Sequence, residues 1–153
     1  MAFPFLKKKK HFFTEAQEAL IVEAVRNAET RTSGEVRVFV ESRCKYMDAT
    51  DRAAEVFFSL KMEKTKDRNA VLVYIALKDR QLAVFGDEGI HRKVGSEFWN
   101  REVGVMIRNF NREDYAAGIS ACVADVGEKL HLHFPYDRDT DKNELPDNIV
   151  FGK

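Results

Sequence analysis

Apolar and polar residues recur along the chain with two periods, and these periods predict alternating helices and strands. Residues 14–31, "TEAQEALIVEAVRNAETR", have a helical period. The predicted buried stripe consists of Leu20, Ala24, Val25 and Ala28. Thr14 with Gln17 three residues later forms a capping-box pattern at the start of this helix. Residues 35–41, "EVRVFVE", alternate instead, with valine at every second position, and predict a strand.

The middle of the chain predicts a mixed sheet. A second helix is expected over residues 49–62. Residues 70–77, "AVLVYIAL", are apolar almost throughout, as in a central strand covered on both faces. After a short "KDR" turn, "QLAVFG" at 81–86 returns as the second strand of a hairpin. Because a helix connects the first strand to the central one, these two strands should be parallel.

The last third of the sequence is predicted to be helical from Gly89 to about His131, with a break near "NFNRED". Asn111 with Asp114 predicts a fresh N-cap at this break. The core stripe of the final helix is expected to be Tyr115, Ile119, Cys122, Val126 and Leu130. Phe98 and Trp99 are interpreted as core anchors.

Composition narrows the class of protein. A chain of 153 residues with 44% hydrophobic and 33% charged residues predicts one globular domain. Acidic and basic residues balance at 25 each, so no overall charge would attract nucleic acid or a membrane surface. No apolar run approaches the roughly 18 residues of a spanning helix. We expect a cytoplasmic monomer with two structural cysteines and a protein partner that the sequence does not identify.

The predicted topology brings three loops to one end of the sheet. The starts of the two parallel strands lie beside the end of the hairpin's second strand, so "TSGE", "KDRN" and "GDEGI" should meet there. This placement gathers the oxygen-bearing side chains of Glu35, Asp67, Asn69, Asp87 and Glu88.

Two explanations of this cluster stay open on spacing alone. Calcium and similar hard cations take six to eight oxygen ligands, and glycines allow close approach of backbone carbonyls. A plain solvated end of the sheet, its charges offset by Arg68 or Lys93, accounts for the same residues. Zinc is not expected, because the neighbourhood has no His–Cys cluster.

A second acidic run, "DRDTDKNELPDN" near the C-terminus, resembles an EF-hand loop only superficially. Asp137, Asp139 and Asp141 match the first ligand positions, but Lys142 takes the glycine position. The "DRDT" letters also echo an aspartyl-phosphate signature, yet they follow "HFP" in a tail rather than a buried strand. We interpret the run as a hydrated tail.

Three stretches, "AETRTSGEVRVFVES", "DRNAVLVYIALKDRQLAVFGDEGI" and "GSEFW", resemble the TPM domain family. The resemblance covers residues 14–134, preceded by a flexible basic segment at 1–13 and followed by a polar tail at 135–153 in which residues 149–151 could dock. It is closest to short soluble bacterial members. It implies a three-layer α/β/α sandwich with a small mixed β-sheet.

The resemblance also implies a site. Family members bind Ca²⁺, or a similar ion such as Mg²⁺, at these loops, which here means Asp67, Asp87, Glu88, Asn69 and Glu35. The usual D-N-G loop is D-R-N here, so Arg68 stands where asparagine is common, and the turn "GDEGI" has acids where many members have a hydrophobic residue. A divalent-cation-binding module is the leading hypothesis. A metal-dependent phosphatase, an activity attributed to plant members, and a non-enzymatic interaction module are the alternatives.

Overall fold

The computed structural model of the protein describes residues 12–136 and 149–152, which form four helices and four strands. In chain order they are α1 Glu15–Glu29, β1 Glu35–Glu41, α2 Ala49–Ser59, β2 Ala70–Ala76, β3 Gln81–Gly86, α3 Glu88–Asn111, α4 Tyr115–His133 and β4 Val150–Phe151. None of the described helices is both long and apolar enough to span a bilayer. The lysine run at 7–10 and the acidic run at 137–148 lie outside the described residues.

The sheet has the predicted mixed topology. Its strand order is β3-β2-β1-β4. β1 and β2 are parallel from the pair Glu35–Ala70 to the pair Glu41–Ala76, and β3 returns antiparallel to β2. β4 adds a short parallel edge on β1 through Val150 and Phe151, which is the docking expected for this part of the tail.

Two layers of helices enclose the sheet, so the predicted α/β sandwich is confirmed. The valines of β1 pack with α1, α3 and α4 on one face. On the other face, Phe39, Leu72 and Tyr74 pack against Ala53 and Phe57 of α2. Because both faces are covered, all seven residues of β2 are buried.

Three local predictions were wrong. In α1 Ile21 is buried, whereas Leu20 is 50% exposed. Ile21 lies four residues before Val25, and Val25 lies three before Ala28, so these three side chains share one face of the helix. α2 ends at Ser59 rather than at residue 62, since Lys61 takes a left-handed conformation with φ 58°. Asn111 does not cap a new helix.

The break between α3 and α4 falls at residues 112–114, within the predicted "NFNRED" stretch. Asn111 is the last residue of α3, and Asp114 is the N-cap of α4, although its side chain makes no capping hydrogen bond. Gly95 interrupts α3 with φ 77° and ψ 170°, which separates a short first segment from the long remainder of this helix. Of the predicted core stripe of α4, Ile119, Cys122, Val126 and Leu130 are buried and Tyr115 is partly buried. Phe98 and Trp99 are buried as predicted.

Helices α1 and α4 approach each other closely at Gly127. A Cβ atom on Gly127 would lie 2.7 Å from Cβ and 3.1 Å from Cα of Ala28. Neither atom of Ala28 belongs to a flexible side chain, so a larger residue could fit only if the helices separated. In contrast, a Cβ atom on Gly104 of α3 would meet nothing within 4 Å.

This contrast predicts opposite effects of the same substitution. Gly127→Ala should lower the free energy of unfolding by about 1–3 kcal/mol, because overpacking outweighs the gain in helix propensity. Gly104→Ala should raise it by about 0.5–1 kcal/mol, because only the propensity changes. Urea unfolding of both variants measures the difference, and equal stabilities would contradict the described packing of α1 on α4.

One buried carboxyl group lies between α3 and α4. Glu102 is 4% exposed, and burial, followed by the neighbouring Asp125, raises its pKa from 4.5 to about 7. The folded protein therefore favours the neutral form of Glu102. Glu102 therefore contributes most to stability below pH 4.5, the pKa of the unfolded state. This contribution falls as pH rises through about 7, the pKa of the folded state.

Glu102→Gln should remove this pH dependence. Between pH 4.5 and about 7 the variant should gain stability over wild type by at most about 1.4 kcal/mol per pH unit, and the difference should level off above that range. Urea unfolding at a series of pH values measures it. Glu97→Gln, at an exposed position of the same helix, is the matched control and should keep the wild-type slope.

Candidate functional site

The three acid-bearing loops meet at one end of the sheet, and backbone hydrogen bonds join them. We call this region, residues 32–35, 65–70 and 86–90, the three-loop end. The N–H of Gly89 donates to the carbonyl of Arg68 at 2.8 Å, and that of Asp87 donates to Ala70 at 2.9 Å. The N–H of Glu35 donates to the carbonyl of Asn69 at 3.4 Å. The second loop is thus tied to both of the others.

Gly89 allows the second and third loops to pack backbone against backbone. A Cβ atom at this position would lie 2.1 Å from the carbonyl oxygen of Asp67 and 2.6 Å from that of Arg68. These distances are far below van der Waals contact, so a side chain would separate the loops. The glycine next to the two acids is required by this close approach.

Asp87 is buried at the centre of the three-loop end, and Arg68 neutralises it. The guanidinium donates from Nε to Oδ2 at 2.6 Å and from Nη2 to Oδ1 at 2.8 Å. Oδ1 also accepts the backbone N–H of Glu88 at 2.8 Å, which makes Asp87 the N-cap of α3. The hydrogen bonds to Asp87, the largest cause, raise the pKa of Arg68. A buried carboxylate requires such a partner.

The other predicted site residues surround this pair at different depths. Glu88 is exposed, and its Oε1 lies 3.4 Å from Nη1 of Arg68. Asp67 is exposed, whereas Asn69 is buried and donates from Nδ2 to the Ser33 hydroxyl at 3.2 Å. Glu35 is buried at the first residue of β1.

The acids share one end of the sheet but do not form a preassembled cage. Within residues 12–136 and 149–152, no group of three or more His, Cys, Asp and Glu side chains is placed to hold a metal ion. Of the two cations expected to offset the acids, Arg68 does so. His91, one helical turn after Asp87, accepts a hydrogen bond at Nδ1 from Nε1 of Trp99 at 3.0 Å.

Arg68 combines this ion pair with an unfavourable backbone conformation. Its φ of 51° lies in the left-handed region, which asparagine tolerates better than most residues. The D-N-G loop implied by the resemblance would have asparagine at this position, where arginine in this chain supplies a side-chain cation instead. Two hydrogen bonds to a buried acid offset the backbone cost.

A model of the TPM domain matches residues 6–129. The chain belongs to the TPM domain family. Its fold is similar to the NMR structure of the BA42 protein from the psychrophilic bacterium Bizionia argentinensis, with a TM-score of 0.85 and 37% identity over 95% of this chain and 99% of BA42. No curated protein matches the chain significantly.

Two more distant solved structures share the fold alone. The N-terminal domain of the cg2496 protein from Corynebacterium glutamicum has a TM-score of 0.62 and 12% identity, covering 81% of this chain and 84% of that domain. The N-terminal domain of a P. gingivalis protein has a TM-score of 0.67 and 17% identity, covering 82% and 83% of the two chains.

Two supporting residues of the three-loop end were not foreseen from the sequence. Thr65 accepts the backbone N–H of Asn69 at Oγ1, at 3.3 Å, and the Ser33 hydroxyl accepts the Asn69 side chain. The sequence feature that could have indicated them is the position of each hydroxyl beside a predicted turn, where serine and threonine commonly bond to nearby backbone. Both fix the buried Asn69 between the first two loops.

Gly89→Ala should open the three-loop end. The methyl group would overlap two backbone carbonyls, and we expect the free energy of unfolding to fall by about 1–3 kcal/mol or more. Amide shifts of residues 67–70 should change with it. Gly104→Ala, which adds the same methyl group in open space, is the control. A Gly89→Ala variant as stable as wild type would show that the loops are not packed as described.

Proposed function

We propose that this TPM-domain chain is a cytoplasmic module that binds a divalent cation, calcium in the first place, at the three-loop end. The supporting observation is the buried carboxylate of Asp87, which already binds a cationic group and lies where all three loops are tied together. The ligands would be Asp67, Asp87 and Glu88, with Asn69 and Glu35 assisting.

The donor set is chemically suitable for a hard cation. It offers carboxylate, amide and backbone carbonyl oxygens, which are the ligands of Ca²⁺ and, with stricter geometry, of Mg²⁺. In the described conformation Arg68 takes both carboxylate oxygens of Asp87. An ion would therefore enter only when the guanidinium leaves.

The exposure of Arg68 would allow its guanidinium to leave Asp87 when an ion binds. Its side chain is 37% exposed, compared with 4% for Asp87, so the guanidinium can move into water while the acid stays. The bound ion would supply positive charge that holds the three loops together. It would stabilise the folded state by mass action, to an extent that depends on its concentration relative to the dissociation constant.

Competition between Arg68 and the ion predicts that removing the arginine strengthens binding. Arg68→Gln should lower the apparent dissociation constant for calcium by about tenfold or more, because the closed form with Arg68 on Asp87 no longer reduces the binding-competent population. Asp87→Asn should abolish binding. Titration with calcium, followed by the amide shifts of residues 34–35, 67–69 and 86–91, measures both effects.

The chain offers a matched control for the change in charge. Arg108 is exposed on α3 and makes no ion pair among the described residues. Arg108→Gln removes the same charge and should leave calcium affinity close to that of wild type. Equal effects of the two arginine substitutions would refute the exchange, and an Asp87→Asn variant that still responds to calcium like wild type would refute the site.

Phosphatase activity and a protein-interaction role stay predictions of the sequence, and the contacts at the three-loop end bear on neither. Hydrolysis of a phosphomonoester by the calcium-, magnesium- or manganese-loaded protein would support the first. A partner captured equally well with chelator present, and lost when the tail is removed, would support the second.

A further inference from the structure

A second polar region lies at the other end of the sheet, where the parallel strands finish. β1 ends at Glu41 and β2 at Ala76, and these two residues are partners in the register. The loops that follow them, together with the start of α2, enclose a cleft of about 630 Å³, which we call the carboxyl-end cleft. Open α/β sheets commonly bind ligands outside the carboxyl ends of their strands, and this volume suits a ligand of nucleotide size.

The wall of the carboxyl-end cleft contains a fixed arginine. Arg52 donates from Nε and Nη2 to the two carboxylate oxygens of the buried Glu41, each at 2.9 Å. The hydroxyl of Tyr74 donates to the same carboxylate, and the Arg52 guanidinium also lies 5.9 Å from the centre of the Phe39 ring. Glu41 therefore has its charge satisfied within the protein, and Arg52 is held on two sides.

The rim of the cleft is basic. Arg43, Lys45 and Lys78 line it with Arg52, whereas the acidic lining residues, Glu41 and Glu55, are both paired with Arg52. Arg43 is held by Asp79 at 3.1 Å. Lys45 and Lys78 are exposed and make no ion pair with the described residues. Two ammonium groups thus remain available to an anion.

An aromatic ring stands open beside these lysines. Tyr46 lines the cleft, is 98% exposed and has φ 72°, in the left-handed region that a bulky residue rarely adopts. The surrounding loop is anchored, because Asp79 accepts the N–H of Cys44 at 2.7 Å and Ser42 accepts that of Lys78 at 2.8 Å. Strained backbone conformations cluster at ligand and active sites, and here the strained residue presents a large ring to water beside two lysines.

The geometry points to a binding site for a small phosphate-bearing ligand with a planar ring, which is the chemistry of a nucleoside monophosphate. Lys45 and Lys78 would bind the phosphate, and Tyr46 would stack on the ring. The fixed guanidinium of Arg52 supports the positive wall between them. Each of the two lysines binds as a compact charge, and the face of a tyrosine ring accepts any planar base.

Amide-shift titrations of the whole labelled chain test this assignment. AMP is the probe, ribose 5-phosphate lacks the ring, and adenosine lacks the phosphate. EDTA is present throughout, so the result does not depend on any ion at the three-loop end. AMP should shift residues 42–47, 52 and 78, and its dissociation constant should be lower by about tenfold or more than that of either fragment.

Two variants and one control separate the contributions of the lysines and of Tyr46 to AMP binding. Lys45→Ala/Lys78→Ala should weaken AMP by about tenfold or more. Tyr46→Asn, which suits a positive φ, should weaken AMP to the level of ribose 5-phosphate and leave that fragment unchanged. Lys64→Ala/Lys66→Ala removes two exposed lysines beyond the C-terminus of α2, away from the carboxyl-end cleft, and should have no effect.

Two results would overturn the proposal. One is AMP binding that is weakened equally by both lysine pairs, which would mean non-specific attraction to surface charge. The other is equal affinity for AMP and ribose 5-phosphate, which would remove any role for the ring of Tyr46. Folding of each variant is checked by its amide spectrum, and the Tyr46→Asn arm keeps the test informative should the double lysine variant unfold.

Discussion

Seven consecutive residue pairs join β1 to β2 in parallel, and the positions of all the polar loops depend on this pairing. A parallel pair cannot be closed by a tight turn, so the chain must cross over through α2 before β2 begins. The crossover puts the starts of both strands at one end of the sheet and their finishes at the other. The three-loop end and the carboxyl-end cleft follow directly from this arrangement.

Each end of the sheet contains a buried acid bound by an arginine, but the two pairs differ in the surroundings of the arginine and of the acid. The Glu41 carboxylate accepts hydrogen bonds from the Tyr74 hydroxyl and from Arg52, which is 28% exposed. Asp87 receives Arg68, which is 37% exposed and lies on a left-handed backbone. Removing a partner from a buried acid is costly, so the more accessible pair is where an external cation can most readily replace the arginine.

Elements with a hydrophobic pattern over several residues were predictable from the sequence. Very short elements, and contacts that depend on packing between elements, were not. The alternation of "EVRVFVE" and the apolar run of β2 reflect burial by whole layers, so their boundaries agree within a residue. β4 has two residues, too few for any period. Leu20 and Ile21 are adjacent and both apolar, so only the packing of α1 decides between them. The meeting of three loops followed from topology, but the bond from Arg68 to Asp87 depends on side-chain conformation.

The carboxyl-end cleft escaped prediction for a related reason: its residues come from separate elements, and each has an ordinary explanation on its own. Glu41 fits the polar side of a strand, and Arg52 fits a solvated helix face. Between the cleft and the three-loop end lies β2, about 20 Å long and buried at every residue. Coupling between two sites requires an element with two arrangements, and a strand packed on both faces offers none. We therefore expect that the proposed replacement of Arg68 by a cation does not change the affinity of the proposed anion site at Lys45 and Lys78.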